Sequence, residues 1–152
     1  MSEVTLIAGE GDAGLRERLD QEISAFNAAA TGYHDARLLS LAARGDDGEL
    51  YAGLYGWTWG GCGYVELLWV RGDQRGNGLG ARLLAAAEAE IQRRGCDRVA
   101  LDTHSFQAPS FYARLGYAEC GRTPGYPHGH DSIHLLKHLR DPGNRRSGGH
   151  VA

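Results

Sequence analysis

The sequence has few cysteines and no long apolar run, and each absence excludes a class of protein. Among its 152 residues are three cysteines, Cys62, Cys96 and Cys120, widely spaced and without a CxxC pair. An odd, dispersed set suggests neither a disulfide framework nor a zinc knuckle. No window approaches the ~18 apolar residues of a membrane span, and the N-terminus lacks the basic and apolar stretches of a signal peptide. We therefore expect a soluble, cytoplasmic protein with reduced cysteines and no membrane partner.

Basic charge is also scarce. Fifteen arginines and a single lysine stand against 19 acidic residues, which gives a net charge of −3 and a pI near 6.1. Because proteins that hold nucleic acids depend on many phosphate contacts from basic side chains, we expect no nucleic-acid partner. Any anion site in this chain must be local.

Length and composition predict one domain. A chain of 152 residues that is 42% hydrophobic is long enough to bury a single core. We place the domain at residues 1–140. The tail DPGNRRSGGHVA, residues 141–152, is polar and rich in glycine, a composition typical of disorder.

Periodicity predicts an α/β domain of about seven strands and three helices. The predicted strands cover residues 4–7, 37–43, 50–59, 64–70, 98–103, 117–122 and 133–138, and the helices begin near Asp12, Gly80 and Pro109. Tight turns join the second, third and fourth strands, which favours an antiparallel meander. The long helix between residues 64–70 and 98–103 favours a parallel crossover. The expected sheet is mixed and mostly antiparallel.

The stretch RGNGLGARLL, residues 75–84, places three glycines at alternate positions where a helix begins. Glycine costs roughly 1 kcal/mol against alanine inside a helix, so the cluster needs a compensating reason. Without side chains at Gly76, Gly78 and Gly80, successive backbone N–H groups can point at one anion, and the positive helix end adds to the attraction. The pattern predicts a phosphate site flanked by three arginines: Arg71, Arg75 and Arg82.

Two kinds of phosphate-bearing ligand fit this pattern. Gly76, Gly78 and Ala81 match the GxGxxA form of a dinucleotide fingerprint, and Asp102 follows at a distance that suits a ribose-binding acid. In a dinucleotide turn the first glycine follows the strand directly, whereas here residues 71–75 intervene, and the chain has no room for further βα units. An NAD-dependent oxidoreductase is kept as an alternative.

The segment ELLWVRGDQRGNGLGARLLAAAEAE, residues 66–90, and the segment LDTHSFQAPSFYARLGY, residues 101–117, together resemble the GNAT superfamily of N-acetyltransferases. Residues 75–80 match the family's phosphate-loop pattern, (Q or R)-x-x-G-x-(G or A), in full. The second segment is similar to a group of small bacterial acetyltransferases. The resemblance covers about residues 37–139. It implies a GNAT fold and direct transfer of an acetyl group to an amine.

The resemblance implies acetyl-CoA as the cosubstrate. In the family, the pyrophosphate lies on the amides of the glycine loop, and the pantetheine arm pairs with the preceding strand like an additional strand. The residues at these positions are Leu68, Trp69, Val70, Arg75, Gly76, Asn77, Gly78, Leu79, Gly80 and Ala81, with Gln107 in the second segment. A non-catalytic acyl-CoA-binding sensor is the second alternative.

The resemblance also implies two catalytic residues. Tyr112, in FYARLGY, occupies the position of the family's common general acid, and a phenol with an ordinary pKa near 10 is protonated at neutral pH. Glu66 matches a strand glutamate that often takes the amine proton, directly or through water. Period-two alternation puts Glu66 on the same face as Leu68 and Val70. Two histidines are alternative bases: His34 and His104.

The acceptor is expected to be a small-molecule, partly apolar amine. Aromatic residues beside the site would line its cleft, and in the family the segment after the first helix contributes to that cleft. The candidate substrate-binding residues are Asn27, Tyr33, Trp57, Trp59 and Tyr64. Variable loops set substrate choice in this superfamily, so fold and cofactor motifs do not identify the acceptor.

We expect no metal and allow a homodimer. His134 and His138 would lie together on a helix, but SIHLLKHL, residues 132–139, has the pattern of a strand. The loop histidines, His128 and His130, lie in a stretch of sequence that resembles the small bacterial acetyltransferases. The exposed edge of a short mixed sheet is compatible with a homodimer.

Overall fold

A computed structural model describes residues 2–139 and divides the chain into two units after His34. The helices are α1 (Ala13–Thr31), α2 (Leu79–Arg93) and α3 (Pro109–Arg114), and a short 3-10 turn spans Gly72–Gln74. The strands are β1 (Arg37–Arg44), β2 (Leu50–Trp59), β3 (Cys62–Val70), β4 (Arg98–His104), β5 (Ala118–Pro124) and β6 (Asp131–His138). The predicted tail, residues 141–152, lies outside the described residues.

Helix α1 belongs to the N-terminal unit and begins where the sequence predicts, after Asp12. The Asp12 side chain caps its start, because it accepts a hydrogen bond from the Leu15 backbone N–H at 3.1 Å. The helix ends at Gly32, whose φ of 75° is a left-handed conformation that glycine adopts without strain.

The predicted strand at residues 4–7 is wrong. Residues 2–9 form no strand, and Val4, Leu6 and Ile7 are 81%, 92% and 89% exposed. A strand needs a neighbour to supply its hydrogen bonds, and a run of four residues has little apolar burial to hold it beside one. The sheet within residues 2–139 therefore has six strands rather than about seven.

The second unit contains a mixed sheet with the strand order β1-β2-β3-β4-β6-β5. Strands β1, β2 and β3 form the predicted antiparallel meander. Strand β4 is parallel to β3, as the intervening helix α2 predicts, and the hairpin of β5 and β6 adds β6 beside β4. The α/β fold class is confirmed. Strands β1 and β5 form the edges, and the homodimer stays a prediction.

Helix α2 packs on one face of the sheet and holds the core. Its buried residues recur at helical spacing: Leu83, Leu84, Ala87 and Ile91. They form one cluster with strand residues that include Val99 and Leu101. Burying a side chain the size of leucine or isoleucine contributes about 1.5–3 kcal/mol. This packing fixes the N-terminus of α2 relative to β3 and β4.

Strands β3 and β4 separate before either one ends. Their parallel pairing stops at Val65 and Leu101. Beyond that point β3 continues to Val70 on its pairing with β2, and β4 continues to His104 on its pairing with β6. The facing backbone edges of the two strands therefore have no strand partner, which leaves a slot between them.

Candidate active site

A cavity of about 900 Å³ lies in the slot between β3 and β4. One wall is the end of β3, the second is the glycine turn with the start of α2, and the third runs from the end of β4 into α3. The two sequence segments that resemble acetyltransferases therefore face each other across one cavity.

The glycine turn before α2 has a backbone that favours glycine. Gly76 and Gly78 have φ angles of 82° and 84°, in the left-handed region that costs other residues roughly 1–2 kcal/mol. Gly78 is the N-cap of α2, and no side chain of the described residues caps this end. The first N–H groups of α2 thus lie uncapped at the positive end of the helix, beside the cavity. This arrangement suits a bound phosphate.

The three flanking arginines differ in the groups that they already contact. Arg71 Nε lies 2.5 Å from Asp73 Oδ1, and the guanidinium also lies over the Tyr51 ring. Because Asp73 balances its charge, Arg71 is less suited to a bound anion than its position in the sequence predicts. Arg75 lines the cavity and donates from Nε to the Val70 carbonyl at 2.8 Å.

Asn77 and Arg82 line a separate cavity of about 360 Å³, which β1 and β2 also bound. Neither residue lines the main cavity, so the side chain of Asn77 is not on the wall that its neighbours Gly76 and Gly78 form. Its role in cofactor binding stays a prediction. The other predicted cofactor residues all line the main cavity: Leu68, Trp69, Val70, Arg75, Gly76, Gly78, Leu79, Gly80, Ala81 and Gln107.

The side chain of Gln107 is hydrogen-bonded to the end of β4. Its Oε1 accepts hydrogen bonds from the His104 backbone N–H at 2.9 Å and the Thr103 hydroxyl at 3.4 Å, and lies 3.0 Å from His104 Nδ1. Since an amide oxygen only accepts, this pattern assigns the proton to Nδ1 of His104. His104, an alternative base, does not itself line the cavity.

Tyr112 lies in α3 and is 8% exposed, with its ring packed edge-on against Phe111 and Tyr117. Burial raises the pKa of its hydroxyl above the ordinary value, so the phenol is protonated at neutral pH. Tyr112 lines the cavity, and within residues 2–139 its hydroxyl has no hydrogen-bond partner. A protonated, unpartnered phenol is suited to give a proton to a group bound in the slot.

Glu66 is the extra residue of a β-bulge. Tyr55 pairs with Leu67 and Gly56 pairs with Val65, so no residue of β2 lies opposite Glu66. Glu66 is exposed and lines the cavity. Bulges direct a side chain away from the regular alternation of a strand, and here the redirected side chain is a carboxylate.

The bulge overturns the predicted facing of Glu66. Leu68 and Val70 pack against the core, and Leu68 is in register with buried Leu54, whereas Glu66 is exposed. A strict period of two places Glu66, Leu68 and Val70 on one face, but an inserted residue shifts every later residue by one position. The role of Glu66 as a base does not depend on that facing and stays a prediction.

The predicted acceptor residues fall into two groups. Trp57 and Tyr64 are cross-strand partners whose rings stack with centroids 4.7 Å apart, and Trp59 is 37% exposed at the end of β2. None of the three lines the main cavity. Asn27, in α1, and Tyr33, just after it, belong to the N-terminal unit. Substrate binding by all five stays a prediction.

The sequence pattern names Asp102 but does not predict the two side chains that are hydrogen-bonded to it beside the cavity. Asp102 lines it and accepts hydrogen bonds from the Tyr64 hydroxyl at 2.6 Å and from His134 Nδ1. Thr123 Oγ1 lies 3.1 Å from the other ring nitrogen of His134. Asp102 and His134 are cross-strand partners on β4 and β6. Since they are far apart in sequence, no local spacing signals the pair.

The histidines of β6 lie on a strand, as predicted, and not on a helix. Over residues 2–139, no three His, Cys, Asp or Glu side chains come together in a way that could hold a metal ion. No helix in that same range has the length and apolar character needed to cross a membrane.

Comparison with known proteins places the chain among acetyltransferases. The family model described as Acetyltransferase (GNAT) family matches residues 10–117. A blasticidin-S acetyltransferase of Streptomyces morookaense is 46% identical over 112 residues, which cover 69% of this chain and 80% of that protein. A crystal structure of an acetyltransferase from Agrobacterium tumefaciens superposes with a TM-score of 0.84 at 32% identity and covers 90% of this chain and 100% of that one.

A structure described as a streptothricin acetyltransferase of Bacillus anthracis, in complex with acetyl-CoA, shares the fold with a TM-score of 0.60. It is 20% identical, and the match covers 68% of this chain and 63% of that one. The strand slot, the glycine turn and these matches define an acetyl-CoA-dependent acyltransferase. The chain belongs to the GNAT family of acetyltransferases.

Family membership decides between the alternatives that the sequence left open. The chain is an acetyltransferase and not an NAD-dependent oxidoreductase.

Proposed function

We propose that the protein transfers the acetyl group of acetyl-CoA directly to a primary amine of a small-molecule acceptor, with Tyr112 as general acid and Glu66 as general base. One observation carries this proposal: the protonated Tyr112 hydroxyl and the Glu66 carboxylate line the same cavity as the glycine turn. Acid, base and anion site therefore converge on one slot.

The cavity walls divide the binding of acetyl-CoA between them. The uncapped N–H groups around Gly78 suit the pyrophosphate, with Arg75 beside them. The unpaired edge of β3 at Leu68, Trp69 and Val70 suits the amide-bearing pantetheine arm, which would pair as a strand does. Gln107 lines the opposite wall. In this proposal, backbone N–H groups near the end of β3 polarise the thioester carbonyl.

The reaction exchanges one bond for another and moves two protons. The amine nitrogen bonds to the thioester carbon while the bond from that carbon to sulfur breaks. Glu66 takes the amine proton, directly or through water, and Tyr112 gives its hydroxyl proton to the departing thiolate. Proton exchange with solvent restores both residues. A well-placed acid or base contributes about 10²-fold or more to such a step.

A relative supplies the first acceptor to test. The Streptomyces morookaense protein, 46% identical, is a blasticidin-S acetyltransferase. Blasticidin S, together with a panel of small primary amines, is therefore the starting set for an assay that measures release of CoA thiol.

Replacing Tyr112 with phenylalanine tests the acid. We expect Tyr112→Phe to lower kcat about 10²-fold, with the affinity for acetyl-CoA unchanged, because the hydroxyl has no partner in residues 2–139 whose loss would disturb packing. Tyr117→Phe is the matched control. Its hydroxyl donates to Glu88 at 3.0 Å and does not line the cavity, so its kcat should stay near wild type.

Two results would overturn the proposal. Unchanged turnover in Tyr112→Phe would remove the acid assignment. Tight binding of acetyl-CoA without transfer to any amine in the panel would favour a protein that only binds acyl-CoA.

A further inference from the structure

Five side chains form a continuous row across the sheet face opposite the core, which we call the Asp102 row: Trp57, Tyr64, Asp102, His134 and Thr123. The Trp57 and Tyr64 rings stack, and the Tyr64 hydroxyl donates to Asp102 Oδ2 at 2.6 Å. Asp102 Oδ1 is bonded to His134 Nδ1, and Thr123 Oγ1 lies 3.1 Å from His134 Nε2. Of these five residues, Asp102 lines the active-site cavity.

The row keeps a negative charge at the cavity wall. Burial alone would raise the pKa of Asp102, but hydrogen bonds from Tyr64 and His134, with the charges of His134 and His104, hold it below the ordinary value. Burial, the hydrogen bond to Asp102 and the charges of Asp102 and Glu66 raise the pKa of Tyr64 to about 12. Tyr64 therefore stays a donor at neutral pH, and Asp102 stays ionised and a poor base.

A carboxylate of this kind does not suit the nitrogen that is acetylated. That nitrogen must lose its proton before it attacks, and a fixed negative charge beside it would favour the protonated form. Asp102 holds two donors and is a weaker proton acceptor for it than a freely exposed carboxylate. Its charge suits a second group that stays cationic throughout the reaction.

The other charged groups of the cavity support this separation. The cationic lining residues are Arg75, at the glycine turn, and Arg114, at the end of α3, whereas the two carboxylates, Glu66 and Asp102, lie on β3 and β4. Tyr112 lines the same cavity, and its hydroxyl has no partner in residues 2–139.

We propose that Asp102, positioned by Tyr64 and His134, is the counter-ion for a second cationic group of the acceptor. The enzyme then selects amines that carry an additional ammonium or guanidinium group, with the reacting amine at Glu66. This inference deepens the proposed function and rests on it for the direction of transfer. Asp102 is a specificity residue in this account, and Tyr64 and His134 are positioning residues.

Matched pairs of acceptors test the proposal. Straight-chain diamines are compared with monoamines of equal carbon number, by calorimetric binding to the CoA-loaded protein and by rate of acetylation. We expect the wild type to prefer the diamine about fivefold, because the Asp102 side chain is 41% exposed and solvent screens an ion pair at such a site. Asp102→Asn should reduce the preference to about twofold or less, through a higher KM for the diamine.

A control at Asp97, the residue before β4, separates a local charge effect from a general one. Asp97 is exposed, pairs with Arg98 and does not line the cavity. Asp97→Asn should keep the diamine preference. His134→Ala should weaken the preference, and His134→Asn should restore part of it, because the asparagine amide can donate in place of Nδ1. Tyr64→Phe, which keeps the ring and removes one donor, is the second variant if Asp102→Asn fails to fold.

The outcomes distinguish this inference from the proposed function. Equal binding of diamine and monoamine by the wild type overturns the inference, whether or not acetyl transfer occurs. A diamine preference that survives in Asp102→Asn also overturns it. A diamine preference that depends on Asp102 supports it, and if Tyr112→Phe and Glu66→Gln then leave the rate unchanged, the catalytic assignment alone fails.

Discussion

Five carboxylates in residues 2–139 have a pKa below the ordinary value, and each accepts a hydrogen bond from a neighbouring side chain: Asp73, Glu90, Asp97, Asp102 and Asp131. Because the folded pKa is the lower one, the unfolded chain binds more protons in the acid range. These groups therefore stabilise the fold above their ordinary pKa values, near about pH 4, and the contribution is lost as the pH falls through the folded values.

Asp131 offers the clearest test of this acid dependence. Its Oδ2 accepts from Arg122 at 2.9 Å and its Oδ1 accepts from the Gly125 N–H at 3.2 Å. We expect the wild-type Tm to fall as the pH drops below about 4. Asp131→Asn should have a lower Tm at neutral pH and a shallower fall. Asp46→Asn, in an exposed turn and without a hydrogen bond in the described residues, should follow the wild type; an unshifted Asp131→Asn curve would contradict the assignment.

At the scale of residues, the sequence predicts what depends on near neighbours. The glycine turn and Tyr112 lie within motifs that are continuous in the chain, and the structure places Gly76, Gly78 and Tyr112 in one cavity. The bond between Asp102 and His134 depends instead on β6 lying beside β4, an order that follows from packing. The spacing of Asp102 in the sequence suggests a ribose-binding role, but it does not predict the hydrogen bonds from Tyr64 and His134.

Among the elements, β3 shows where a sequence period fails. Period-two counting is valid only while both strands advance together, and the bulge opposite Tyr55 and Gly56 lets β3 advance one residue further than β2. No residue type or spacing in the sequence of β3 predicts that the bulge lies at Glu66. The predicted strand at residues 4–7 fails for a different reason. An apolar run predicts a strand, but no neighbouring strand pairs with these residues.

The glycine opposite the bulge gives an element-scale prediction. A Cβ at Gly56 would lie 2.0 Å from the Tyr64 carbonyl oxygen, a backbone atom of the neighbouring strand, whereas a Cβ at Gly53 would lie an ordinary 3.6 Å from the Leu41 oxygen. We expect Gly56→Ala to lower the free energy of unfolding by about 1–3 kcal/mol or more. We also expect lower turnover, because a displaced bulge would move the Glu66 carboxylate. Gly53→Ala should be near neutral in urea denaturation; equal effects would argue against the bulge.

For the molecule as a whole, the sequence predicts the order of the elements, but it gives about seven strands where residues 2–139 form six. The meander follows from strands joined by short turns, and the parallel crossover follows from the long helix α2 between β3 and β4. The slot between β3 and β4 does not follow, because it requires two strands that stop pairing while each continues with its outer neighbour. Local sequence carries no sign of that separation.

Binding of acetyl-CoA at the glycine turn is the central claim, and one thermal-shift experiment tests it most directly. Wild type, Gly78→Ala and Gly95→Ala are each titrated with acetyl-CoA, CoA and NAD. Both alanines enter a left-handed backbone, at φ of 84° and 86°, but Gly95 follows α2 and does not line the cavity.

We expect both CoA species to stabilise the wild type and Gly95→Ala by about 2.7 kcal/mol at 100 times the dissociation constant. NAD should give no shift, and Gly78→Ala should lose the response. A response to NAD, or an undiminished response of Gly78→Ala to acetyl-CoA, would contradict the account.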